Sequence, residues 1–154
     1  MKDIEELELL ILFKKCNKAL HKCHQQNDPK GSFRGKGQLL SVLSKQDGIS
    51  QTELANHMDI ARASMSELLM KVEKAGLVKR KPDSNDKRII RVYLTQLGKD
   101  KAIENSAFTS RLAAKAFEVY TQEEMNQLAP LLSKFIEQLN SFVEEESKKE
   151  ETES

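Results

Sequence analysis

The sequence predicts a mainly α-helical fold that carries one small β-hairpin. Three observations carry this expectation. Apolar residues recur at helical spacing in both terminal segments. Two short helical stretches meet at a tight turn in the middle of the chain. The stretch that follows alternates apolar and polar residues on either side of a polar, turn-rich loop.

In the N-terminal segment Ile4, Leu7, Ile11 and Leu20 fall at spacings of three, four and nine. Lys14, Lys15, Lys18 and Lys22 fill the other face, which predicts a helix to about Gln25. Between Gln38 and Gln46, Leu39, Leu40, Val42 and Leu43 make a compact helix that Asp47 and Gly48 end. Ser50-Gln51-Thr52-Glu53 reads as a capping box, the hydroxyl accepting a helix N–H while the glutamate reaches back to the cap. A helix to about Met58 follows, then a turn at Asp59 and Ile60. A second helix, from about Arg62 to Ala75, buries Met65, Leu68, Leu69 and Val72. Gly76 suits the left-handed residue after a helix end, with Leu77 folding back on the helix.

Strands are expected at Leu77 to Lys81 and Ile89 to Leu94, the second alternating Ile90, Val92 and Leu94 with Arg91 and Tyr93. The loop between them, from Pro82 to Arg88, is polar and basic at its end, suited to standing off the body and entering a DNA groove. Thr95 caps a long final segment with Gly98 in its first turn. In the last helix, which Thr121 caps with Glu124, Leu128, Leu132, Phe135, Leu139 and Phe142 form a coiled-coil-like seam. Leu131, Ile136 and Val143 widen that stripe beyond what one facing helix covers, which predicts dimerisation through both termini; packing of the seam within one chain is the alternative. The resulting organisation is 1–34 as N-terminal dimerisation helix and linker, 35–99 as the helix-turn-helix and hairpin, 100–146 as C-terminal dimerisation helices, and 147–154 as a charged, disordered tail.

Composition narrows the function. Of 154 residues 38% are apolar and 32% charged, and the mean hydropathy is −0.58. The longest apolar run, Leu9 to Phe13, is far shorter than the ~20 residues a membrane span needs. The start lacks a basic, then apolar, secretory pattern, so a cytoplasmic location is expected. The net charge of +1 hides an asymmetry: from Lys30 to Lys99 there are 14 basic and seven acidic residues, against 11 and 17 in the flanks. A basic centre between acidic arms is the footprint of a duplex-reading module joined to arms with another task. No phosphate loop, catalytic triad or metal-ligand spacing stands out. Gly31, Gly35 and Gly37 lack the preceding strand of a dinucleotide fingerprint, so neither an enzyme nor a cofactor is expected. With three histidines and two cysteines lacking CxxC or HxxxH spacing, no metal is expected.

Three segments carry a family resemblance. They are Ser50-Gln51-Thr52-Glu53-Leu54-Ala55, Glu73-Lys74-Ala75-Gly76-Leu77-Val78, and above all Asp86-Lys87-Arg88-Ile89-Ile90-Arg91-Val92-Tyr93-Leu94-Thr95. The last matches the pattern D-x-R-x-x-x-V-x-L-T. In these residues the stretch from Gly35 to Lys99, and more loosely the whole chain, resembles the MarR family of bacterial winged helix-turn-helix regulators. The resemblance implies a triangular homodimer on a palindromic operator in double-stranded DNA, most simply as a repressor. The second helix of the pair then enters the major groove, and Arg88, braced by Asp86, enters the minor groove. Arg62, Ser64, Ser66 and Lys71 become groove-facing candidates, and Lys79, Arg80, Lys87 and Arg91 lie near phosphates. Glu67 stands where many relatives carry arginine, so it either accepts from cytosine N4 or pairs with Lys71. Asp86 also reads as a plain turn residue. The rival function is a winged-helix protein-interaction module without DNA binding, which predicts a neutral wing tip and reading helix.

An effector is implied only by the resemblance. An organic ligand would sit in the crevice between the dimer helices and the winged lobes, near Phe13, Asn17 and Phe33. Cys16 and Cys23, seven apart and so nearly on one helical face, suggest either a thiol switch or simple packing.

Overall fold

The computed structural model describes residues 4–29 and 35–152. Six helices and two strands follow in the order α1 (Glu6–Asn27), α2 (Lys36–Lys45), α3 (Gln51–His57), α4 (Arg62–Lys74), β1 (Val78–Pro82), β2 (Ile90–Leu94), α5 (Gln96–Phe117) and α6 (Gln122–Thr152). The chain divides inside α5 into two compact units, one ending at Ser110 and the other beginning at Arg111. No described helix is long and apolar enough to cross a membrane.

The core lies in the first unit and is drawn from every short element. Leu39, Leu40 and Leu43 of α2 pack with Leu54 and Ala55 of α3, and with Met65, Leu68, Leu69 and Val72 of α4. Leu77, Val78, Val92 and Leu94 close it from the hairpin, and Ala102 from α5. The residues of α4 predicted to face inward are therefore those that are buried.

Local chemistry sets the boundaries. At α3 the capping box is complete: Glu53 N–H donates to Ser50 Oγ (3.2 Å) and Ser50 N–H to Glu53 Oε2 (3.1 Å). The turn to α4 uses Asp59 in the left-handed region, φ 51°. At the far end of α4, Gly76 takes φ 74°; its N–H reaches the Glu73 carbonyl and that of Leu77 the Val72 carbonyl, the paired bonds that seal a helix C-terminus. The strands start and end within a residue of the expected positions and pair in antiparallel register from Val78 opposite Leu94 to Pro82 opposite Ile90. A third segment joins them: Gly48 N–H donates to Val92 O and Val92 N–H to Ile49 O, with a bridge between Ser50 and Arg91. The hairpin is thereby tied to the root of the helix pair.

Thr95 acts as the expected cap of α5, accepting from Gly98 N–H (3.0 Å) and donating to the Gly76 carbonyl (2.5 Å). Within the first unit, an ion pair between Lys36 and Asp28 links the end of α1 to the start of α2, and His24 meets Phe108 of α5 edge-on at 5.3 Å. In the second unit Thr121 and Glu124 cap α6 reciprocally.

Of the tail expected to be disordered over 147–154, the residues to Thr152 continue α6, and 153–154 lie outside the described residues. Glutamate and lysine are good helix formers, and an ion pair between Lys149 and Glu146, three apart, adds to them. Pro130 lies within α6, where its missing N–H removes one backbone bond.

Candidate nucleic-acid interface

On α4 the same periodicity that buries Met65, Leu68, Leu69 and Val72 turns Arg62, Ser64, Glu67 and Lys71 to solvent, with Ser66 half-buried beside them. Glu67 and Lys71 do not pair: neither belongs to an ion pair among the described residues. Ser66 Oγ donates to the Arg62 carbonyl (3.1 Å) and accepts from Gln51 Nε2 (2.9 Å), a contact from the first turn of α3 that sequence reasoning missed.

The wing tip is ordered by two aspartates. Asp86 takes Arg88 Nε and Nη2 at 3.0 Å each, together with the Arg88 backbone N–H at 3.0 Å, while the arginine side chain stays 90% exposed. These bonds hold the Asp86 carboxyl below its ordinary range. Asp83, which sequence reading left as an anonymous loop residue, is buried and organises the turn from inside. It accepts from the Arg91 Nε and from the backbone N–H groups of Asn85 (2.8 Å) and Asp86 (3.1 Å). The Arg91 guanidinium first, then those two N–H groups, lower its pKa to about 2. The signal for Asp83 was its place at the first turn position after Pro82, where an aspartate bonds the backbone two residues on.

Two of the basic candidates are tied inward. Arg91 donates through Nη1 to the Gly48 carbonyl (2.9 Å) as well as through Nε to Asp83. Arg80 grips Glu73 through Nε (3.0 Å) and Nη2 (2.7 Å), which depresses the Glu73 carboxyl. Lys79 and Lys87 are exposed. A cleft of about 550 Å³ runs between the α3 start and the wing, with Ser50, Thr52, Arg62, Arg88, Ile90 and Arg91 among its walls. Three arginines and one carboxylate, Glu53, line it; Arg88 and Arg91 are paired with Asp86 and Asp83, so Arg62 is the arginine of the cleft outside those ion pairs.

Three of the four effector candidates lie on α1, at spacings of three and four that share a helical face. Phe13 is half-buried on α1, whereas Cys16 and Asn17 are exposed, and Phe33 lies outside the described residues. Cys16 and Cys23 are free thiols. Among the described residues no group of three histidines, cysteines or carboxylates converges on a metal position.

A helix pair followed by a hairpin wing on one shared core defines a winged helix-turn-helix protein. The family model described as MarR family matches residues 35–90. The chain is 29% identical over 143 residues to the HTH-type transcriptional repressor YetL of Bacillus subtilis (strain 168), covering 91% of this chain and 86% of that protein. It is 33% identical over 109 residues to the homoprotocatechuate degradative operon repressor of Escherichia coli, covering 70% and 72% of the two. Its fold matches a MarR protein from Peptoclostridium difficile with TM-score 0.78 at 20% identity, over 92% of this chain and 93% of that one. S. aureus MepR gives TM-score 0.76 at 23% identity, over 84% and 96%. The chain belongs to the MarR family; it is a DNA-binding transcription regulator and not an enzyme.

Proposed function

We propose that the protein is a homodimeric repressor of a palindromic operator, with α4 in the major groove and the hairpin wing in the minor groove. The observation that carries this reading is Arg88: a side chain 90% exposed at the tip of a wing, its guanidinium nonetheless held at two points by Asp86, which also takes the Arg88 backbone N–H. An arginine fixed in advance loses less freedom on entering a groove than a mobile one. Arg62, Ser64, Ser66, Glu67 and Lys71 face base edges in this arrangement, and Lys79 and Lys87 meet phosphates. Arg80 and Arg91 contribute charge while staying bonded to their carboxylates. Repression is supported by the names of the relatives at 29% and 33% identity.

Dimerisation is supported by apolar surface left open along the terminal helices. No residue of α1 is buried, with Ile4 and Leu7 at least 60% exposed. On α6 Leu131, Ile136, Leu139, Phe142 and Val143 are all exposed. Stripes of that length on a chain this polar call for a second copy. A small organic ligand near Phe13 and Asn17, or an oxidant acting on Cys16 or Cys23, would relieve binding by altering that pairing. The site of action is the cytoplasm, where the operator is. A protein-interaction role without DNA would want a neutral wing tip, and this one carries Lys87 and Arg88.

The test is selection of bound fragments from the host genome by the full-length protein, followed by footprinting. Protection of a two-fold symmetric site with half-sites about 34–36 Å apart is expected. A single asymmetric footprint, or no enriched fragment, would overturn the proposal.

A further inference from the structure

A serine hydroxyl has one proton and two lone pairs. On α4 the Ser66 proton is held inside the protein, donated to the Arg62 carbonyl at 3.1 Å, while one lone pair accepts from Gln51 Nε2 at 2.9 Å. Turning the Gln51 amide over would give the proton to its Oε1 instead, so in either orientation no proton remains to offer outward. What the hydroxyl presents to solvent is a lone pair. Its neighbour Glu67, exposed and outside every ion pair of the described residues, is an acceptor too. The middle of the reading helix is thus an acceptor pair flanked by donors, Arg62 on one side and Lys71 on the other.

We infer that Ser66 is a specificity-determining residue that selects a base with an exocyclic amine, adenine or cytosine, over guanine or thymine on the strand it faces, and that Gln51 is the positioning residue that holds it as an acceptor. The chemistry follows from the groove: adenine N6 and cytosine N4 are donors at the major-groove edge, whereas guanine O6 and thymine O4 are acceptors. A committed acceptor facing O6 or O4 places two lone pairs together and leaves both without a proton. The inference rests on the reading in which α4 enters the major groove. It adds to that reading the residue that sets a base class and the α3 side chain that enforces it.

Enrichment of random-sequence duplexes on the full-length protein tests this, with wild type, Ser66→Ala and Gln51→Ala carried in parallel. Wild type is expected to show at least one position per half-site where adenine and cytosine both exceed guanine and thymine on the same strand by roughly three- to tenfold, the size of one hydrogen bond. Ser66→Ala should flatten that position alone. Gln51→Ala should also flatten it with Ser66 still present, because the hydroxyl, then oriented only by its bond to the Arg62 carbonyl, can exchange that bond for one donated to a base acceptor. A wild-type profile without a position where adenine and cytosine are both favoured on one strand, or such a position that survives unchanged in Ser66→Ala, would overturn the inference while leaving DNA binding in place. Absence of any enrichment by wild type would instead overturn the regulatory reading beneath it. Cooperative melting of all three proteins is the expected control for folding.

Discussion

Arg88 and Asp83 divide the wing between them, one facing out and one facing in. Arg88→Ala should lower operator affinity by on the order of tenfold or more, because it removes the one tip cation that is both exposed and pre-positioned. Electrophoretic mobility shift reads this, with sedimentation expected to show an unchanged dimer; wild-type affinity would remove Arg88 from the interface. Asp83 makes a different prediction. Its folded pKa of about 2 lies below the ordinary carboxylate value, so its contribution to stability is complete above about pH 4 and is lost as pH falls towards 2. Asp86, Glu73 and Glu53 are shifted in the same direction, by Arg88, Arg80 and Ser50 respectively, and add to the same acid loss. Melts from pH 5 to pH 2 should therefore fall more gently in Asp83→Asn than in wild type, from a lower starting point. Parallel curves would contradict the assignment. The pairing of Asp86 with Arg88 was expected from the family resemblance alone, with a plain turn role for Asp86 as the alternative. The partners of Arg80, Arg91 and Ser66 were not, since Glu73, Asp83 and Gln51 reach them only across elements.

The elements themselves were largely legible, and for local reasons. The box at Ser50 and Glu53, the left-handed Gly76 and the cap at Thr95 are each decided by residues within four positions. Ser50→Ala should cost about 1 kcal/mol, the usual value of a lost N-cap, and lower the melting temperature by about 2–4 °C. Gly98→Ala should do more harm. A methyl at that position would overlap the Leu77 carbonyl oxygen, which is backbone and cannot swing aside. The loss should be about 2 kcal/mol or more, and calorimetry ranking Gly98→Ala as no worse than Ser50→Ala would contradict the packing of α5 on the hairpin root. Less legible was the pairing of residues 48–50 with β2, because Gly48 and Ile49 sit in what reads as a plain connection. The helical stretch from residue 147 to Thr152 was missed for the opposite reason: charge patterning alone reads as disorder, while glutamate and lysine favour helix wherever a helix already leads into them.

At the scale of the whole molecule, charge and apolar surface are sorted to different places. The basic excess gathers between Lys30 and Lys99, and the open apolar stripes lie on α1 and α6. Sequence showed this sorting directly, since it is a matter of counting and spacing; it could not show which cations stay available once folding has committed Arg80 and Arg91 to carboxylates. In the proposed dimer two winged lobes, each offering Arg62, Lys71, Lys79, Lys87 and Arg88, should release counterions from duplex in proportion to the phosphates they cover. Fluorescence anisotropy of the full-length protein with a labelled duplex, from about 50 to about 300 mM salt, measures that release. The predicted result is tight binding in dilute buffer and a log–log slope of about −5 or steeper. A flat salt response, or no binding at the lowest salt, would contradict it.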